Sequence, residues 1–361
     1  MPRKKYSILV RMPNWLGDCV MATPAVTHLA ECLPDADIYL AAREQFRPLL
    51  AGQPGVKGFF PAPGSGIGKM YRCIVDKSVL RGFDNGGRFD AGVLLTNSLS
   101  TAFWLWWVGA DMRIGYRTDG RRLFLTHPVP CGGVEKSWHF VRYYLWLAKF
   151  TENALCETEG INHRQLDSLE KYLTPHISVN AEAREKARNL LALKGVVGEY
   201  AVLAPASAYG EVKDWPAAHY RELIKKLNKE FSLPVVVTGA GGQKAVCDAI
   251  AADQANAVSV AGETDMAEFA GLIAESVVFV GGDSGGAHVA GALGIPTIVI
   301  FGITNPSRTR PQGEKVVMMG AGEDKDVRLS TPEAKEAAKK ALAAIAPERV
   351  LDAVRRVCWR E

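Results

Sequence analysis

Glycine-rich strand ends flanked by acidic and basic side chains are where this chain could do chemistry. Residues Gly281-Gly282-Asp283-Ser284-Gly285-Gly286-Ala287-His288 follow the apolar run Val277–Val280 and lead into a small-residue helical pattern ending at Leu293. A strand that breaks on glycine and turns into a helix leaves free backbone N–H groups at the helix start, and these favour an anion. The stretch reads as a phosphate cradle with Asp283 and His288 beside it, although a lone histidine among small apolar residues is also a common core residue. A second strand end, Asn14-Trp15-Leu16-Gly17-Asp18, follows the strand-like Tyr6–Val10, at the position where open α/β sheets bind ligands. Asp18 falls in a first helical turn, where a carboxylate either caps the helix or serves as an acid/base group. Its pairing with the Gly-Asp-Ser-Gly of the other half favours the second role.

Three further places carry chemistry. Ala204-Pro205-Ala206-Ser207 ends another strand, and Lys213-Asp214-Trp215-Pro216 follows it; Lys213 at that edge would neutralise a phosphate, where a solvated surface lysine is the plainer reading. Thr264 precedes Asp265-Met266 and reads by default as a helix N-cap. Arg113-Ile114-Gly115-Tyr116-Arg117, with Arg121 and Arg122, is the densest basic patch, suited to an anionic partner or to a solvated loop. Two look-alikes fail: Gly64–Lys69 lacks the first glycine of a P-loop and has Met70 in its Ser/Thr place, and Gly239-Ala240-Gly241-Gly242 has Lys244 where G-x-G-x-x-G needs glycine. Neither an ATPase nor a dinucleotide oxidoreductase follows. The run Phe103-Trp104-Leu105-Trp106-Trp107 is expected to be packing surface, or an interface near a bilayer.

The elements that must position these residues read most clearly in the second half. Tyr200–Ala204, Pro234–Thr238, Ala257–Val260, Val277–Val280 and Thr297–Phe301 are strand-like, with amphipathic segments of helix length between them. That alternation implies right-handed βαβ units in a doubly wound parallel sheet. The first half shows it less clearly: strands at Tyr6–Val10, Ile38–Ala41 and Asp90–Thr96, a helix over 17–33, and a Gly/Pro-rich excursion with one helix over 52–88. The expected architecture is two Rossmann-like domains across a cleft, residues 1–175 and 176–345. The basic amphipathic helix within 346–361 either caps the second domain or crosses back to the first.

Composition narrows the class. At 361 residues with 48% apolar side chains, the chain can bury two cores. Residues 1–175 carry 21 Lys/Arg against 16 Asp/Glu and the remainder 22 against 23, so the first half is the better match to an anionic partner. No nucleic-acid-binding motif accompanies it. Seven scattered cysteines with no C-x-x-C pair and no metal-ligand spacing indicate reduced thiols and no metal site. No 18-residue apolar run and no signal-peptide core are present, so a cytoplasmic or peripherally bound protein is expected.

Taken together the motifs resemble the ADP-heptose:lipopolysaccharide heptosyltransferases, glycosyltransferase family 9. The matching stretches are Trp15-Leu16-Gly17-Asp18 with Ala22-Thr23-Pro24, Leu95–Ser100 leading to Arg113–Arg117, Lys213–Pro216, Gly282–His288 and Phe301–Pro306, in family order along nearly the whole chain. The Asn-Ser-Leu and Arg-x-Gly-Tyr-Arg stretches are more similar to the second heptosyltransferase of core assembly than to the first. Ala204–Ser207 departs from the family's Pro-Gly-Ala, and the 61–88 segment is longer than its counterpart. The resemblance implies a GT-B fold and an inverting, metal-independent transfer of heptose from ADP-heptose to a Kdo-lipid A type acceptor. It needs no cofactor beyond the donor, and the enzyme would be a monomer on the inner face of the inner membrane. It implies Asp18 as general base and Lys213 as the leaving-group cation. Ser207, Lys213, Thr264, Asp283, Ser284, Gly285, Gly286 and His288 would contact the donor, and Trp15, Gly17, Arg113 and Arg117 the acceptor. Closure of the domains would exclude water. Another nucleotide sugar, or a non-catalytic nucleotide-sugar-binding module, are the alternative readings.

Overall fold

The computed structural model describes residues 5–62, 87–161, 168–207, 214–302, 306–320 and 331–359. The chain forms two compact units, Met1–Ile177 and Ser178–Glu361. Helices of eight residues or more are numbered below.

The first unit holds a six-stranded parallel sheet in the order β3-β2-β1-β4-β5-β6. Its strands are β1 (Tyr6–Arg11), β2 (Ala36–Ala42), β3 (Val56–Pro61), β4 (Phe89–Leu94), β5 (Ala110–Tyr116) and β6 (His127–Val129). On one face lies α2 (Leu99–Val108), whose Ala102, Trp104 and Leu105 are buried with Leu9, Phe60, Phe89 and Leu94 in one core cluster. The long α1 (Leu16–Cys32) packs against α3 (Phe140–Glu159). Small residues at Ala22, Thr23 and Ala25, all nearly fully buried, let α1 lie close to its neighbours.

The second unit repeats the plan. Its strands β7 (Ala201–Ala204), β8 (Val235–Val237), β9 (Ala257–Ser259), β10 (Val278–Gly282), β11 (Thr297–Phe301) and β12 (Val316–Gly320) pair in parallel in the order β12-β11-β10-β7-β8-β9. The helices are α4 (Ala181–Leu193), α5 (Ala217–Phe231), α6 (Lys244–Ala251), α7 (Met266–Ala274), α8 (Gly285–Ala292), α9 (Pro332–Ala343) and α10 (Pro347–Cys358). Numbered within its own unit, each sheet has the order 3-2-1-4-5-6 of a doubly wound nucleotide-binding fold. Both sheets therefore have a switch point between first and fourth strands.

Several expectations need correction. β3 lies inside the stretch read as a loop-rich excursion, whose residues 63–86 fall outside the described ones. The patch around Arg113 is not a loop but β5. The helix α7 is capped by Asp265, whose side chain accepts from the Glu268 N–H at 2.8 Å, so Thr264 is one residue short of the cap. The last helix, α10, packs within the second unit: its Cys358 lies at the Val277 carbonyl, Trp359 stacks on Phe231 at 4.1 Å, and Arg355 pairs with Glu230. Its apolar stripe, Val350, Leu351, Ala353 and Val354, completes the core there. Among the described residues, no helix is long and apolar enough to cross a membrane.

Candidate active site

In the first unit the switch point lies between the ends of β1 and β4. Arg11 closes β1, is 1% exposed, and spends its guanidinium on the Met12 carbonyl and, at 2.7 Å, on Asn14 Oδ1. This fixes the loop that delivers Trp15, the extended N-cap of α1, into solvent with 54% exposure. The Arg43 guanidinium lies 5.8 Å from the Trp15 ring centre. Two residues on, half-buried Gly17 passes into the first turn, and Asp18 follows. The Tyr144 hydroxyl, on α3, donates to Asp18 Oδ1 at 3.2 Å. Burial, and then the Asp18 charge, push the Tyr144 phenol well above its ordinary value, so it remains a donor throughout the working pH range. A carboxylate at a helix N-terminus, held by a fixed tyrosine donor, can accept a proton from a bound hydroxyl.

The end of β4 is fastened in the same way. Arg121, fully buried, donates to the Tyr116 and Thr96 carbonyls and, at 2.9 Å, to Asn97 Oδ1. Asn97 Oδ1 also accepts from the Tyr143 hydroxyl at 3.2 Å. Burial lowers the Arg121 pKa, yet guanidinium stays charged at any pH of interest. Of the two arginines expected at an acceptor, Arg117 is exposed just beyond β5. Arg113 instead binds backbone, its Nε reaching the Phe124 carbonyl at 2.8 Å and its Nη1 that of Ala110 at 2.7 Å.

In the second unit the switch point lies between β7 and β10. The helix α8 starts directly after β10, with Ser284 at its extended N-cap and no side-chain cap on the first turn. Gly285 and Gly286 are its first residues, and their N–H groups open the helix. A Cβ on Gly286 would stand 3.1 Å from both Phe269 and Phe279, and one on Gly281 3.0 Å from the Ala204 carbonyl. Glycine therefore lets this turn sit down on the sheet. His288 is 5% exposed, and Asp283 is half-buried at the turn. Across the switch point, the Ser207 N–H donates to Asp214 Oδ1 at 2.8 Å. The buried Ser207 Oγ has no hydrogen-bond partner among the described residues, nor has Thr238 Oγ1 just past β8. Ser207 follows β7, the strand paired with β10, so an unfilled hydroxyl and the α8 N–H groups stand at one edge of the sheet, which fits a polyanion. Thr264 is half-buried at the carboxyl end of the neighbouring strand. Lys213 lies outside the described residues, as do the Gly64–Lys69 look-alike and 303–305. Trp215, beside it, is core: 2% exposed, with its Nε1 donating to the Ile345 carbonyl at 2.9 Å.

Sequence reading gave no role to Arg11 or Tyr144, and named Asn97 and Arg121 only as parts of a motif and of a basic patch. Arg11 closes β1 and was discoverable there; Tyr144 lies 126 residues from its partner, and no local pattern could pair them.

Two doubly wound parallel sheets with polar side chains gathered at each switch point define the GT-B class of glycosyltransferases. A family model described as glycosyltransferase family 9 (heptosyltransferase) matches residues 85–338, and the chain belongs to that family. It is 29% identical to lipopolysaccharide heptosyltransferase 2 of Escherichia coli (strain K12), over 98% of this chain and 99% of that one. The solved structure of E. coli ADP-heptose LPS heptosyltransferase II matches with a TM-score of 0.77 at 24% identity, covering 98% of each chain. That of an E. coli heptosyltransferase with ADP-2-deoxy-2-fluoro heptose matches at 0.68 with 17% identity, over 97% of this chain and 99% of that one.

Proposed function

We propose that this chain transfers heptose from ADP-heptose to the inner core of lipopolysaccharide, inverting the anomeric centre in one displacement without a metal at the reacting atoms. The observation that carries the reading is the Asp18 carboxylate, set in the first turn of α1 at a sheet switch point and held by Tyr144. The acceptor hydroxyl oxygen attacks the anomeric carbon while the bond from that carbon to the ADP oxygen breaks. Its electron pair leaves with ADP, and the hydroxyl proton passes to Asp18. The α8 N–H groups and Lys213 stabilise the diphosphate; Ser207, Thr264, Asp283 and His288 orient the donor. Trp15, Gly17 and Arg117 meet the acceptor, with Arg113 bracing the loop beside it.

The same reading has the chain act as a monomer on the inner face of the inner membrane. Trp106 and Leu123, 46% and 88% exposed, stand with exposed Arg122 around one aromatic cluster, a surface that suits an anionic bilayer. Mass spectrometry of products on acceptors of defined core length tests the reading, with ADP-, UDP- and GDP-sugars offered in parallel. A single added heptose from the ADP-sugar is expected; transfer from UDP- or GDP-sugars alone, or donor binding with no product on any acceptor, would contradict it.

A further inference from the structure

Away from Asp18, at the other end of the α1–α3 contact, lies a group of ligand-type side chains that the reaction does not use. His28 Nε2 is 2.8 Å from a Glu152 carboxylate oxygen, and Cys32 Sγ is 3.6 Å from each ring nitrogen of His28. The three donor atoms lie within 4.8 Å of one another, and all three side chains are fully buried. The spacing is regular: His28 and Cys32 are four apart on α1, and Glu152 and half-buried Cys156 are four apart on the facing turns of α3. Residues four apart share a helix face, so the two packed helices present their ligand-type side chains to one point. We propose that His28, Cys32 and Glu152 form a structural site for a zinc-like divalent transition metal, whose fourth position a water fills.

Geometry and charge both fit. With metal bonds of about 2.0–2.3 Å, tetrahedral nitrogen and sulfur ligands stand roughly 3.6 Å apart and nitrogen and oxygen roughly 3.4 Å. The His28–Cys32 distance already meets this, the ring having only to turn so that the Nε2 lone pair faces the space beside Sγ, and His28–Glu152 must open by about half an ångström. The positive charge near Glu152 is at present the Lys149 ammonium, 2.9 Å from both carboxylate oxygens on a side chain 28% exposed. A divalent ion bound by neutral His28, the Glu152 carboxylate and the Cys32 thiolate is electroneutral, which frees Lys149 to turn to solvent. Binding expels one thiol proton to solvent. Of the other groups around the cluster, Tyr172 lies edge-on to His28 at 5.1 Å and donates to Glu31, which also pairs with Lys171. None competes for the three donor atoms. Ten residues of helix separate His28 from Asp18, about 15 Å along the axis, so the ion clamps α1 to α3 and takes no part in transfer.

Cobalt(II) is the probe. Tag-free protein, stripped by chelator, is titrated with Co²⁺ and then Zn²⁺ near pH 7.5 while absorbance and thermal unfolding are followed. One equivalent of Co²⁺ should give a thiolate-to-cobalt charge-transfer band and tetrahedral visible bands, bleached by Zn²⁺, with the unfolding temperature raised. Cys32→Ser should lose the charge-transfer band, and Lys149→Met should bind more tightly. Wild-type protein that gives no such band at stoichiometric Co²⁺, or a band that survives Cys32→Ser, overturns the site. The wild-type titration alone decides the matter where a variant fails to fold.

Discussion

At the scale of single residues, a carboxylate in a first helical turn is stabilised by the helix whether or not it reacts, so residue type and position leave Asp18 with two roles. The bond from Tyr144 is what capping does not require. Tyr144→Phe keeps the ring in its buried place and removes one hydrogen bond to a charged group. A loss of about 1.5 kcal/mol in the transition state, near tenfold in kcat with KM little changed, is the expected result in steady-state assays. Unchanged kcat would deny the tyrosine any positioning role. Ser207→Ala should raise the donor KM while leaving unfolding temperature nearly unchanged, because its Oγ has no partner among the described residues to lose. At this scale the strand-to-helix turn along Gly282–Gly286 was legible because a residue's neighbours in the chain are there also its neighbours in space. It misled at Arg113, because a basic residue in a string of basic residues gives no sign that its guanidinium folds back onto the Ala110 and Phe124 carbonyls.

At the scale of elements, the α1–α3 pair and the β10–α8 turn hold the functional ends in place. Glu152 is pushed up by burial, but His28 and Lys149 outweigh this and hold it below its ordinary value. A carboxylate depressed in the folded state adds stability that is complete above its unfolded pKa, about 4.3, and is lost as pH falls through the folded value. Acid unfolding followed by circular dichroism should therefore show wild type losing stability more steeply below pH 4 than Glu152→Gln; parallel curves would contradict the pairing. Gly271→Ala should cost about 1–3 kcal/mol in chemical denaturation, since its Cβ would run into the Ala183 backbone carbonyl, which cannot swing aside as a side chain can. Five strands of the second unit were legible because they are continuous apolar runs separated by helix-length amphipathic segments. β12 was missed although Val316–Met319 is apolar, because only a four-residue helix, Pro306–Thr309, lies between it and β11 among the described residues. β3 and β6 are sheet-edge strands with half-exposed patterns, and β5 carries Asp111 and Arg113; none has the unbroken apolar run that marks a central strand.

At the scale of the whole molecule, one strand order is used twice, so each unit has its own switch point. The two-unit plan was visible from length and alternation, whereas the shared strand order was not, because edge strands set it. The exposed Trp106 and Leu123 give a test of where the chain works: changing both to Ser should reduce co-sedimentation with anionic vesicles and leave turnover on a soluble truncated acceptor intact. The central claim concerns Asp18, and the rate of ADP release from ADP-heptose in the presence of acceptor tests it most directly. Asp18→Asn, with unaltered circular dichroism and unaltered donor binding, should slow that release by about 10²–10⁴. Release at a rate near that of the wild type would contradict the assignment of Asp18 as the base.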